Sequence, residues 1–300
     1  KKHLKVKENS GAPFSPTLES TLTVSPEETE DRGFVFDKLI GLANKWERKR
    51  RLRSYEISKE DHPERTKIVA EGDSWFQYPF FLKDIIDHLS ESYNILCLSA
   101  AGAELQDMFK EDEFFEAIEN ERPAYFLLSG GGNDLLGDSF QLFLDDYTPG
   151  TPGQKPESFL KNNLEGFLET IGIYYQSIFD RAQKYYKEFG LQVLVHGYDF
   201  IIPYEKSMKG GWVGKYMEKK MIDNQLDRQA LIEHILGRFH MLLSSLVDSL
   251  PYVHFVHTQG TLPPDRNYWE DEIHPSDEGY RLITEKFTQK IQELSNLKIT

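Results

Sequence analysis

Five short apolar runs punctuate the chain: KIVAEG (67–72), YNILCLS (93–99), AYFLLSGG (124–131), LQVLVHG (191–197) and YVHFVHT (252–258). Runs of this length with little polar alternation suit strands buried on both faces. Between them lie longer stretches of helical periodicity: FFLKDIIDHLSES, AELQDMFKEDEFFEAIEN, SFLKNNLEGFLETIGIYYQSIFDRAQKYYKEFG and MEKKMIDNQLDRQALIEHILGRFHMLLSSLVDSL, with SDEGYRLITEKFTQKIQELSN closing the series. Strand and helix alternating in this way predict an α/β fold, a five-stranded parallel sheet with helices on both faces. In such a sheet a ligand sits beyond the carboxyl ends of the strands, near a topological switch point.

With 300 residues and 39% hydrophobic content, the chain can fill a sizeable core. Residues 1–31 are poor in apolar side chains and read as a disordered or loosely attached arm, and residues 32–300 as one domain. A helix over 32–55 is expected to pack on that domain, its basic run KWERKRRLR forming a solvated end that complements the macrodipole. The segment DDYTPGTPGQKPES (145–158) reads as a surface loop.

The formal charge of −14, from 35 basic and 49 acidic side chains, argues against a nucleic-acid partner or a polybasic membrane contact. Cys97 is the only cysteine, so no intrachain disulfide is possible and a reducing, cytoplasmic setting fits best. No uninterrupted apolar run approaches the roughly 20 residues of a membrane helix, so no integral membrane contact is expected. Lys stands at position 1, so some N-terminal sequence is expected to be missing or removed.

Three polar clusters fall at predicted strand ends: Gly72-Asp73-Ser74, Gly130-Gly131-Gly132-Asn133-Asp134, and Asp271-Glu272-Ile273-His274-Pro275. Singly, each has an ordinary explanation as a turn or cap. Together they bring a nucleophile, an amide donor and an acid–base pair to one sheet edge. A serine hydroxyl needs a base to remove its proton, and a histidine, ordinarily titrating near ~6.5, can do so and then protonate the leaving group. Asp271, three residues before His274, can orient that ring, and Asn133 can offer its side-chain amide to an oxyanion.

This constellation resembles the SGNH (GDSL-type) hydrolase superfamily over residues 67 to about 295. The resemblance implies a flavodoxin-like three-layer sandwich, Ser74 as nucleophile, and an oxyanion hole formed by Ser74, Gly102 and Asn133. Gly131-Gly132-Asn133-Asp134 matches the Gly-x-Asn-Asp motif, and Asp271 to Pro275 matches Asp-x-x-His-Pro. The first motif has Trp75 where the residue after Ser is usually Leu.

Asp73, Trp75, Phe76 and Tyr78 are candidates to line an acyl or sugar pocket, with aromatic core packing as the commoner use of such rings. His196, Tyr198 and Asp199 come after the fourth strand and share the same edge; a structural histidine paired with Tyr198 or Asp199 is the alternative. The segment SMKGGWVGKYM (207–217) reads as a mobile lid or a plain surface loop.

Asp271 and His274 alone make no metal set, and no nucleotide-binding motif stands in a strand–turn–helix setting, so no metal or other cofactor is expected. The chain thus reads as a hydrolase of a small-molecule, lipid or acylated-sugar ester, a small acyl group being preferred. The alternative is a non-catalytic or partner-activated binding component on the same fold, its oligomeric state open.

Overall fold

The computed structural model describes residues 4–7, 17–20, 29–78, 82–145, 155–204 and 212–297. The five apolar runs become β3 (Lys67–Gly72), β4 (Asn94–Cys97), β5 (Tyr125–Ser129), β6 (Gln192–His196) and β7 (Val253–Val256). They form one all-parallel sheet in the order β4-β3-β5-β6-β7. The chain enters at β3, steps one way to β4, then returns past β3 to β5 and continues outward. That reversal places the switch point between β3 and β5, where a crevice opens at their carboxyl ends.

Helices cover both faces, forming the three-layer α/β sandwich expected from the alternation. They are α1 (Thr29–Asp61), α2 (Ile85–Leu89), α3 (Leu105–Glu111), α4 (Glu113–Glu121), α5 (Gly132–Leu136), α6 (Phe140–Phe143), α7 (Asn163–Phe189), α8 (Gly214–Lys219), α9 (Gln225–Val247) and α10 (Asp277–Leu297). Adjacent residues of β5 illustrate the two sides. The Tyr125 hydroxyl donates to the Ile291 carbonyl of α10, whereas Phe126 stacks on Phe114 of α4 at a centroid distance of 5.1 Å. Helix α9 is the one described helix with the length and apolar content to cross a bilayer. Its buried side, Leu231, Ile235, Phe239 and Leu243, belongs to the hydrophobic core.

Two predicted helices are each divided. The 103–120 pattern breaks at Asp112, whose left-handed φ of 60° ends α3, its N–H bonding to the Met108 carbonyl; Asp accepts that conformation more readily than most residues. The pattern starting at Met217 breaks before Asn224, whose side chain accepts from the Leu226 N–H and starts α9 afresh. Within the first 31 residues, expected to be a loose arm, β1 (Leu4–Lys7) and β2 (Thr17–Ser20) pair antiparallel. Helix α1 begins within that stretch and runs past the predicted end at residue 55. Residues 146–154 of the predicted 145–158 loop lie outside the described residues.

The basic run in α1 corrects its sequence reading. It occupies the middle of a 33-residue helix rather than a solvated end, and Arg51 is buried. Its guanidinium donates to the carbonyl of Phe76 and to the carboxylates of Asp84 and Asp87. Asp84, fully buried, also accepts from the N–H groups of Tyr78 and Ile86. Helix α1 runs antiparallel to β4, with Ser58 meeting Asn94 at the start of that strand and Asn44 meeting Ala101 beyond its end. Removing the guanidinium leaves a buried carboxylate without its cation, which typically costs about 3–5 kcal/mol. Arg51→Leu is expected to lower the unfolding free energy by that order in urea titration, and Arg51→Leu combined with Asp84→Asn by less than the sum of the two singles.

Candidate active site

The turn that carries Ser74 is built by Asp73. Its side chain accepts from the N–H of Trp75 at 3.0 Å, and its carbonyl accepts from Phe76 and Gln77, so the chain reverses at once and carries Ser74 at the bend. The Trp75 indole N–H donates to the carbonyl of Ile273 at 3.0 Å, joining this turn to the loop after β7. Across that junction, Ser74 Oγ lies 2.7 Å from His274 Nε2, and His274 Nδ1 lies 2.8 Å from Asp271 Oδ2. The other Asp271 oxygen accepts from the N–H groups of Ile273 and His274, each at 2.9 Å.

Burial pushes the Asp271 carboxyl upward. The charge of His274 and the hydrogen bonds from its ring and the two N–H groups outweigh that and hold it below its ordinary value. Asp271 is therefore an anion aimed at the histidine ring. Helix α5 carries Asn133, whose Nδ2 donates to the Ala103 carbonyl at 2.9 Å and keeps a second hydrogen free for another acceptor. Gly102 sits on the same 100–103 turn in the left-handed region, φ +82°, which favours glycine. Among the described residues, the N–H groups of Ser74 and Gly102 have no hydrogen-bond partner within the protein.

Of the other sequence candidates, Asp73, Trp75 and Tyr198 border a cavity of about 20 Å³ beside Ser74 and Asn133, lined also by Leu136, Ile201 and Ile273. That space holds about one water-sized molecule. Tyr78 stands edge-on to the His274 ring at 4.9 Å. Phe76 is a core residue, stacked on the ring of His196 at 5.7 Å. Asp199 accepts from the N–H groups of Phe200, Gly260 and Leu262 and so serves loop structure. A larger open groove of about 280 Å³ between α2 and α10, bordered by His88, Glu91 and Arg281, shares no lining residue with this cleft.

His196 corrects the expectation that it borders the pocket. It is 0% exposed, and its Nδ1 accepts from the Tyr198 N–H, which leaves Nε2 to donate to Ser129 Oγ at 2.9 Å. Ser129 donates in turn to Asp73, and so does the Tyr198 hydroxyl, at 3.0 and 2.5 Å. Burial raises the Asp73 carboxyl in spite of these donors. Gly132 completes the cluster: its N–H donates to the Tyr198 hydroxyl, and a Cβ there would lie 2.8 Å from the Tyr198 ring.

Residues 207–211 of the predicted 207–217 lid lie outside the described residues. From Trp212 onward the chain is anchored. The Glu272 carboxylate accepts from the N–H groups of Tyr204, Trp212, Val213 and Gly214, and the Trp212 indole donates to Asp271 Oδ2 at 3.2 Å. No sequence pattern singles out Glu272 for this task, because it stands inside a motif already accounted for by its neighbours. Among the described residues, no group of three or more His, Cys, Asp or Glu side chains converges as a metal site.

No protein-family model matches the chain, and no curated protein sequence matches it. Among solved structures it is similar to an SGNH-hydrolase-like protein from Slackia heliotrinireducens, at 13% identity over 76% of this chain and 99% of that one, TM-score 0.49. It is likewise similar to an acetylxylan esterase from Geobacillus stearothermophilus, at 13% identity over 75% and 94%, TM-score 0.46. A GDSL-like lipase from Parabacteroides merdae resembles it at 12% identity over 75% and 94%, TM-score 0.46.

Burial lowers the His196 pKa to about 3, against ~6.5 for a histidine in an unfolded chain. The unfolded state therefore binds the extra proton first, and the contribution of neutral His196 is full above pH ~6.5 and lost as pH falls toward 3. Urea unfolding between pH 6.5 and 4 is expected to show stability falling with acid, with a shallower slope in His196→Gln.

Proposed function

We propose that the protein is a serine hydrolase that cleaves a carboxylic ester by way of an acyl-enzyme. The observation that carries this reading is the continuous chain from Ser74 Oγ to His274 Nε2 and from His274 Nδ1 to an ionised Asp271. His274 takes the Ser74 proton as Oγ attacks the carbonyl carbon. Asp271 holds the ring in the needed tautomer and stabilises the imidazolium that forms. The developing oxyanion is met by the N–H groups of Ser74 and Gly102 and by Asn133 Nδ2, three donors with capacity to spare in the resting protein.

The intermediate collapses, the carbon–oxygen bond to the alcohol breaks, and the alcohol leaves with the proton from His274. Water then enters, gives its proton to His274 as it attacks the acyl carbon, and releases the acid and free Ser74. The small cavity walled by Leu136, Ile201 and Ile273 favours a short acyl group over a long chain. The alcohol half of the ester is met by the aromatic edges of Tyr78 and Trp212 flanking His274.

Incubation with a fluorophosphonate, read by intact mass, is expected to give one adduct on the wild type and none on Ser74→Ala. Hydrolysis of p-nitrophenyl acetate is expected to exceed that of the octanoate and to vanish in Ser74→Ala and His274→Ala with the fold intact by circular dichroism. A wild type with neither adduct nor turnover would sink the reading in favour of a non-catalytic or partner-activated binding component. Losing one oxyanion donor usually costs ~10²–10³ in rate, so Asn133→Ala is expected to lower kcat by that factor while still forming the adduct slowly.

A further inference from the structure

Helix α1 contributes to the cleft through a side chain that no catalytic pattern marks. Asn44 donates from Nδ2 to the Ala101 carbonyl at 3.0 Å and accepts at Oδ1 from the Ala101 N–H at 3.1 Å, while the same Oδ1 accepts from Gln77 Nε2 at 3.1 Å. A side-chain amide offers a donor and an acceptor on one planar group, matching the N–H and C=O of a single residue whatever the pH. Gln77 is fully buried and belongs to the nucleophile turn, its N–H bonding to the Asp73 carbonyl. Asn44 therefore ties together the two backbone segments that hold the candidate oxyanion donors.

The grip on Ala101 has a specific electronic meaning. The Ala101 carbonyl and the Gly102 N–H belong to one peptide unit, planar and trans, so fixing where the oxygen points fixes where the hydrogen points. A donor on that oxygen also polarises the unit and makes the N–H a better donor. On the far side of Gly102, Asn133 bonds the Ala103 carbonyl. Gly102, with no Cβ and a left-handed φ, is thus held between two clamped neighbours.

We infer that Asn44 is a positioning residue for the oxyanion hole, setting the direction and strength of the Gly102 N–H from outside the cleft. The inference rests on the serine-hydrolase reading. Misplacing a catalytic group by about 1 Å costs up to ~10² in rate, and the loss falls on the charged transition state rather than on substrate affinity.

The test compares p-nitrophenyl acetate kinetics and fluorophosphonate labelling rates of the full chain as wild type, Asn44→Ala, Asn44→Asp and Tyr55→Phe. Asn44→Asp sets a carboxylate oxygen against the Ala101 carbonyl in place of a donor. Tyr55 lies on the same helix and bonds Glu121 at 2.6 Å, away from both loops, so it reports the cost of loosening α1 alone. Both Asn44 variants are expected to lose at least tenfold in kcat and in labelling rate with KM within about threefold and an unmoved pH profile, while Tyr55→Phe keeps wild-type kcat.

A wild type that labels at Ser74 together with an Asn44→Ala variant within twofold of its kcat would overturn the inference and leave the hydrolase reading standing. A Tyr55→Phe loss equal to that of Asn44→Ala would overturn it as well, by reducing the effect to helix docking. Should the wild type neither label nor turn over ester, the hydrolase reading falls and the inference falls with it.

Discussion

A buried carboxylate without a buried cation beside it organises this protein. Asp73 stands at the end of β3, buried to 2% exposure, and its burial must be offset by donors from several directions. They come from Ser129 at the end of β5, from Tyr198 beyond β6, and from the turn that Asp73 itself closes. Three neighbouring strands are thereby locked at one level, and the next residue in the chain, Ser74, inherits a fixed position. Tyr198 holds a left-handed φ of 61°, a conformation that costs on the order of 1–3 kcal/mol and that the converging bonds maintain.

A second layer of support comes from α1, which precedes the sheet in sequence and lies along its β4 edge. Arg51 reaches the carbonyl of Phe76, and Asn44 reaches Gln77 and Ala101. Positions 44 and 51 are seven residues apart, two helical turns, so one face of one helix presents both side chains to the loops beyond the sheet. The same helix exposes Leu42 and Trp46 on other positions, so its apolar content is not all spent on the core. The opposite wall of the cleft is supported by Glu272, whose carboxylate gathers four N–H groups from the segments on either side of residues 205–211.

Much of this was legible in the residues because strand length and helical periodicity are local properties. The five runs predicted the five strands and their parallel order class, and the polar clusters at strand ends marked where Ser74, Asn133, Asp271 and His274 would meet. What sequence could not supply was long-range pairing. Arg51 in a basic run looks like a solvated cation until Asp84 is found opposite it, 33 residues away. Asn44, inside a helical pattern, carries no sign that Ala101 lies against it. His196 lies at a strand end like the others, and only the position of Ser129 shows that its ring points into the core rather than toward the cleft. The helix breaks at Asp112 and before Asn224 were visible in principle, since Asp and Asn favour such positions, yet apolar periodicity on both sides masked them.

The distance along the chain between Ser74 and His274, 200 residues, bears on how the protein comes into being. During synthesis β3 and its turn emerge early, while Asp271 and His274 arrive only after β7, with α10 still to come. Until then the Ser74 hydroxyl lacks its His274 partner, and the turn that bears it lacks the Ile273 carbonyl that anchors Trp75. A chain that has emerged only as far as β7 therefore lacks the Ser74–His274 contact however much of its sheet has paired. Closing so long a loop also carries an entropic cost that the shorter-range strand pairings of the sheet do not meet.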